Sequence, residues 1–263
     1  MNFYKFIVMQ NLFMINSPLE QFGVVSLLEF RLPFNGTVLS LTNLGLYSII
    51  IVALILGGHY LSTNNKGLVS SPWSLTFESL YTTLQSMVKD QIGSRYESYL
   101  PFVYGLFIFV LVANLNGNIP YGFTITTSAI VSLGFSCMIF SSVTILGLFR
   151  HGIHFFSYFV PAGTPLALVP LLVLIELISY FARAVSLGVR LFANMVAGHI
   201  LLKILASFLF GLFNSSLLVA TLTLIPFALF VALVGLELAV SVIQAYVFTI
   251  LTCSYIKDAL ELH

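Results

Sequence analysis

Glu176, Arg183 and Arg190 recur every seventh residue within an otherwise apolar run. At about 100° per residue such a spacing drifts by only about 20° per step, so the three side chains share one stripe of a helix, which Asn194 adjoins. His199 and Lys203 fall on the opposite face of the same run. A second apolar run carries Glu237, Ser241, Gln244 and Asp258 on one side, with Glu237 and Gln244 again seven apart. An arginine at mid-bilayer costs about 2.5 to 17 kcal/mol, depending on how much water and lipid deformation reach it. The functional reading is therefore a charge that faces a partner charge or an ion path. The bland reading is a snorkelling arginine or one half of a structural ion pair.

Composition sets the surroundings of these groups. The 263-residue chain is 59% hydrophobic and 7% charged, with a mean hydropathy of +1.05; a soluble domain carries about 25% charged residues. This is a polytopic membrane protein, with room for about five to seven spans of about 20 residues. A single integral membrane domain over 1–263 is expected. A net charge of +1 offers no basic stripe to neutralise phosphates, which excludes nucleic acid as a partner. Cys137 and Cys253 sit in apolar runs and read as small core residues, not as a disulfide or metal site. Among the histidines, His151 and His154 lie in a polar break, His263 is the last residue, and only His59 and His199 touch apolar runs. That distribution supports neither haem nor metal, and no cofactor is expected.

The elements that must position the polar groups follow in chain order. Residues 1–16 form a mostly apolar segment, the candidate for a removable leader, without the Arg-rich, Ser-rich character of a transit peptide. A first span is expected from Leu41 to Tyr60, ahead of a polar loop from Ser62 to Ser71. Ser71-Pro72 is a helix start signal, and Trp73 to Ile92 sets Leu75, Leu80, Leu84, Met87 and Val88 among Glu78, Gln85, Ser86 and Lys89. This reads as an amphipathic helix over 73–92 lying in the membrane interface. Leu100 to Leu115 is a second span, closed by the turn cluster Asn116 to Pro120, and Ser128 to Phe149 is a third. Small and hydroxyl residues in both suit close helix packing. Arg150-His151-Gly152 opens a break that continues to Pro165. Lys66, Lys89, Arg95 and Arg150 fall on one side of this topology, which makes that side the inside.

Two longer stretches follow, Pro165 to Phe210 and Leu217 to Leu262, which together form the long-helix region 165–262. Each is about 45 residues, or about 67 Å of helix against about 30 Å of hydrocarbon. Each is either two short spans or one strongly tilted helix. Gly211 to Ser216 is the one good turn cluster between them, which favours a hairpin of two slanted helices. Folding that hairpin near Leu217 gives a register in which Arg190 meets Gln244, Glu176 meets Asp258 and His199 meets Glu237. For each pair the plain alternative is mutual satisfaction of buried polar groups. The expected fold is thus all-α: about three upright spans, one amphipathic interfacial helix and a hairpin of two long, strongly tilted membrane helices.

Carboxylates and a histidine exchange protons near neutral pH when their surroundings allow, whereas arginine is never deprotonated. The register therefore reads as two proton-capable patches separated by a charge that yields no proton. Such a layout needs a mobile carrier to cross the gap.

Leu187-Gly188-Val189-Arg190-Leu191-Phe192-Ala193-Asn194-Met195-Val196-Ala197-Gly198-His199, with Glu237 and Gln244-Ala245-Tyr246-Val247-Phe248 downstream, resembles subunit a of the F-type ATP synthase. Ser17-Pro18-Leu19-Glu20-Gln21-Phe22 is similar to the opening of fungal mitochondrial members. The likeness covers nearly the whole chain. It implies a noncatalytic stator subunit in the mitochondrial inner membrane, beside a rotating c-ring of small subunits that each carry a buried carboxylate. The partners implied are the c-ring subunits, other stator subunits of the membrane sector, the lipid membrane and protons. By the same resemblance Arg190 is the essential arginine that meets each ring carboxylate. Glu237 and His199 would line one half-channel, and Glu176 with Asp258 the other. Gln244 would support Arg190, with Arg183 and Asn194 as further polar neighbours. No GxxxxGK[ST] loop occurs, so ATP chemistry is not expected on this chain.

Two other classes compete. A secondary transporter binds substrate between repeats whose broken helices correspond, and Pro170 and Pro226 are not symmetrically placed. A purely structural subunit of a respiratory complex would tolerate replacement of Arg190.

Overall fold

The computed structural model describes residues 18–31, 38–64, 71–119, 122–160, 168–213 and 223–261. The leader 1–16, Lys66 in the first polar loop, Pro120, the start of the first long stretch at Pro165, the turn residues 214–216, the start of the second stretch at Leu217, and Leu262 lie outside the described residues. The chain divides into two compact units. One is built from the chain up to Asn43 together with Val196–Glu237, the other from Leu44–Met195 together with Leu238–His263.

The helices are α1 (Asn43–Thr63), α2 (Pro72–Gln91), α3 (Leu100–Gly117), α4 (Ala129–His151), α5 (Val169–Phe213) and α6 (Leu224–Leu260). Among the described residues, five helical segments are long and apolar enough to cross a membrane: Asn43–Thr63, Ser94–Gly117, Ala129–Phe159, Val169–Phe213 and Leu224–Leu260. The chain is an all-α polytopic membrane protein, as its composition demanded. Each long stretch is one continuous helix, of 45 residues for α5 and 37 for α6. Two short spans joined by a link are therefore excluded. Both prolines sit in first turns, Pro170 as the second residue of α5 and Pro226 as the third of α6, where a missing N–H costs nothing.

In the larger unit the local signals act as the sequence suggests. Ser71 caps α2, its side chain accepting from the Ser74 N–H at 3.2 Å, with Pro72 at the first helical position. Leu84, Met87 and Val88 on one face of α2 join the core that includes Val103, Phe107 and Val110 of α3, while Thr76, Ser79, Thr83 and Ser86 face outward. Helices α4 and α5 approach through small residues. Ser136 Oγ donates to the carbonyl of Ala184, and a Cβ on Gly188 would lie 3.0 Å from Ser132 O and Ser136 Cβ. Close backbone approach of this kind is how membrane helices gain packing when lipid is as apolar as their side chains. Cys253 is buried as expected, but Cys137 is exposed, because it faces away from this contact.

Gly152 ends α4 at φ 57°, a left-handed conformation that glycine adopts without a Cβ penalty. The chain then turns into a 3-10 segment, Gly152–Phe159. Phe155 and Phe159 are buried, and Gly147 supplies the notch: a Cβ there would fall 2.6 Å from the Phe155 ring.

The smaller unit holds a feature that the sequence reading did not anticipate. Strands β1 (Ser26–Arg31) and β2 (Val38–Thr42) pair antiparallel from Arg31↔Val38 to Ser26↔Thr42, with a bulge between Ser26 and Leu28. Asn43 closes the hairpin. Its side chain donates to Gly23 O at 3.0 Å and accepts from Val25 N at 3.2 Å.

Candidate functional site

The polar stripe of α5 resolves into three settings. At its amino-terminal end, within the larger unit, Arg183 is the hub. Its Nη2 donates to Glu176 Oε1 at 3.4 Å and its Nη1 to Asp258 Oδ2 at 3.3 Å. The same Nη1 reaches the Tyr158 hydroxyl at 3.1 Å. Glu176 and Asp258 thus come together through Arg183, and the direct pairing expected of them is corrected. Two carboxylates brought close together repel, and a guanidinium fork between them satisfies both. Arg183, expected only as a neighbour, is the organising group. Beside it, Thr144 Oγ1 and the Tyr180 hydroxyl are 2.8 Å apart, which ties α4 to α5.

Two turns farther along α5, Arg190 is half-buried. None of the ion pairs among the described residues involves it. The expected Arg190–Gln244 contact is also corrected. Gln244, almost fully buried, accepts from Asn194 Nδ2 at 2.8 Å. Asn194 lies one turn beyond Arg190 on the same stripe, and two complementary amides satisfy each other without desolvating a guanidinium. Next to Gln244 on α6, Ser241 accepts at its carbonyl from Asn114 Nδ2 at 3.4 Å and at its hydroxyl from Asn118 Nδ2 at 2.7 Å. Asn114 Oδ1, Asn116 Nδ2, Asn118 Oδ1 and Thr126 Oγ1 are buried polar atoms without a hydrogen bond to the described residues. Such atoms normally find a partner, so this lane of amides and hydroxyls is suited to water.

The third setting lies in the smaller unit. His199 Nδ1 stands 3.3 Å from Glu237 Oε1, with side-chain exposures of 15% and 9%. The pairing expected from the hairpin register is the one found. Gly198 makes it possible, since a Cβ there would be 2.9 Å from Glu237 Oε1. The Phe22 ring lies 6.3 Å from the imidazole, centroid to centroid. A histidine and a carboxylate in contact can pass a proton between them, and the low exposure keeps that exchange away from bulk water.

Tyr158, Gly198 and Asn114 were not given a role from the sequence, and Asn116 and Asn118 were read only as part of a turn cluster. Tyr158 lies in the aromatic run Phe155-Phe156-Ser157-Tyr158-Phe159, where its hydroxyl is hidden in an apolar pattern. Gly198 directly precedes His199, and a glycine next to a buried polar group was the available signal. Among the described residues no cluster of His, Cys, Asp or Glu could hold a metal ion.

Comparison with known proteins bears on these groups directly. Residues 45–257 match the family described as ATP synthase A chain. A protein of Mycosarcoma maydis named ATP synthase subunit a is 60% identical over 252 residues, covering 95% of this chain and 99% of that protein. Those of the same name from Trichophyton rubrum and Kluyveromyces lactis are 50% and 49% identical, over 95% and 97% of this chain. With the stripe, the His199–Glu237 pair and all but the last three residues of the two long helices inside the matched region, this chain belongs to the ATP synthase A chain family.

Proposed function

We propose that the chain is a proton-translocating stator subunit of the membrane sector of an ATP synthase, a multi-pass protein of the mitochondrial inner membrane. One observation carries the reading. Glu176, Arg183, Asp258, His199 and Glu237 each have an ion-pair partner, whereas none is found for Arg190 among the described residues. A guanidinium in a membrane helix requires a counter-charge, and the carboxylate of a neighbouring rotor subunit meets that need. Family membership and five membrane-grade helices support the same conclusion.

In this mechanism two offset half-channels serve a rotating c-ring. Glu237 and His199 relay protons on one side, and Glu176 with Asp258 on the other. A ring carboxylate that is protonated turns into lipid, and one that has lost its proton is held by Arg190. Arg190 cannot relay a proton, so flow between the half-channels passes only through the ring. Asn194 and Gln244 fix each other beside Arg190 and keep the stripe polar without adding a charge. The chain itself does no ATP chemistry.

The remaining organisation follows from this role. The chain acts as one integral membrane domain, and α2 lies in the interface. Helices α5 and α6, which exceed the hydrocarbon thickness of about 30 Å, are strongly tilted with their uncovered length against the ring and other stator subunits. The test is Arg190→Ala in the assembled complex. Proton-driven ATP synthesis should fall to background with assembly intact; normal synthesis would overturn the reading.

A further inference from the structure

The Arg183 hub contains a group that the proton path above does not use. The Tyr158 hydroxyl accepts from Arg183 Nη1 at 3.1 Å and makes no other hydrogen bond among the described residues. Tyr158 stands on the 3-10 segment that follows Gly152, pinned by Phe155 in the Gly147 notch. The segment borders a cavity of about 20 Å³ lined by Tyr158, Tyr180, Arg183, Tyr255 and Asp258, large enough for one water. The titratable and charged groups at this place are Tyr180 and Arg183 of α5, Tyr255 and Asp258 of α6, and Tyr158 itself; Glu176 reaches it through its pair with Arg183, and the Arg190 charge acts on Tyr255. From α4 the cavity receives Phe140 and Val143.

We propose that Tyr158 is a positioning residue, which divides the Arg183 guanidinium between Glu176 and Asp258 and so keeps both carboxylates open to proton exchange. The geometry supports this. An arginine left with one carboxylate forms two parallel hydrogen bonds to it, yet here each carboxylate receives a single bond, at 3.3 and 3.4 Å. The tyrosine oxygen takes the third direction of the fork and holds the guanidinium plane between the two acids. Without it the guanidinium closes on one acid as a two-pronged pair. That acid is then held ionised and the other is left without its cation.

This role rests on the function proposed above, and it is tested with Tyr158→Phe in the assembled complex in vesicles. Loss of the hydroxyl should lower ATP-driven proton pumping by about 3- to 10-fold near neutral pH, the net worth of one ordinary hydrogen bond. The rate-limiting limb of its pH profile should move to lower pH by about half to one unit, because the tightened pair resists protonation. In an Asp258→Asn background Tyr158→Phe should add no further loss, since only one carboxylate is left to hold. An unchanged profile, additive losses in the double variant, or failure of Tyr158→Phe to assemble would each overturn the positioning role. Arg190→Ala run in parallel separates the two claims. If it retains coupling, the functional reading falls; if it loses coupling while Tyr158→Phe matches the unmodified complex, only the role of Tyr158 falls.

Discussion

Arg183 and Arg190 stand seven residues apart in one stripe of one helix, in opposite circumstances. Arg183 has two carboxylates and a tyrosine hydroxyl within 3.1 to 3.4 Å. Arg190 has no ion-pair partner among the described residues, and the amide expected beside it, Gln244, is bonded to Asn194. The difference teaches that a membrane arginine is to be read by its partners and not by its presence. One with internal partners organises its own chain, and one without them, under the proposed function, receives its counter-charge from another subunit.

Substitutions along the stripe can break or sharpen that comparison. Arg190→Ala comes first, with complete loss of proton-driven synthesis in an assembled complex. Next is Glu237→Gln, which keeps the shape but removes the proton carrier beside His199. It should slow proton translocation by about 100-fold, the low end of the usual range for losing an acid-base group, as read by the quench of a pH-sensitive dye. Arg183→Gln should be milder, slowing pumping by about tenfold while leaving it coupled, because its role is to hold Glu176 and Asp258. If Arg183→Gln uncoupled the complex as fully as Arg190→Ala, the distinction between the two arginines would collapse. The smallest effect, about 2- to 5-fold, is expected of Gly198→Ala, whose added Cβ needs only a displacement of the Glu237 carboxylate. Unchanged turnover in that variant would show that the placement of Glu237 is not critical.

Much of this was legible in the sequence, for physical reasons that can be named. The period of seven put the charges of α5 on one stripe, and a helix obeys that period wherever it is continuous. His199 with Glu237 could be paired because both are polar and, of the three expected pairs, they are the nearest in sequence to the point about which the register was folded, where it has the least room to slip. Farther from the turn the one-to-one register failed. Arg183 pairs with Asp258 and Asn194 with Gln244, and these pairs are farther apart along α6 than along α5. Helices that cross at an angle drift in register, and long side chains such as arginine reach across the slip. Tyr158 was hidden because its partner is remote in sequence and its neighbours are aromatic. The β-hairpin was missed because it depends on Asn43, whose side chain ties residues Gly23 and Val25, and no short-range pattern announces that contact.

The central claim is that Arg190 is the barrier between two half-channels. It is tested most directly by passive proton flux across vesicles containing the membrane sector alone, with the ring cross-linked to the stator so that rotation cannot carry protons. The unmodified sector should be tight, and Arg190→Ala should leak at a rate that falls again when Glu237→Gln is added. A locked Arg190→Ala sector that stays as tight as the unmodified one would contradict the account.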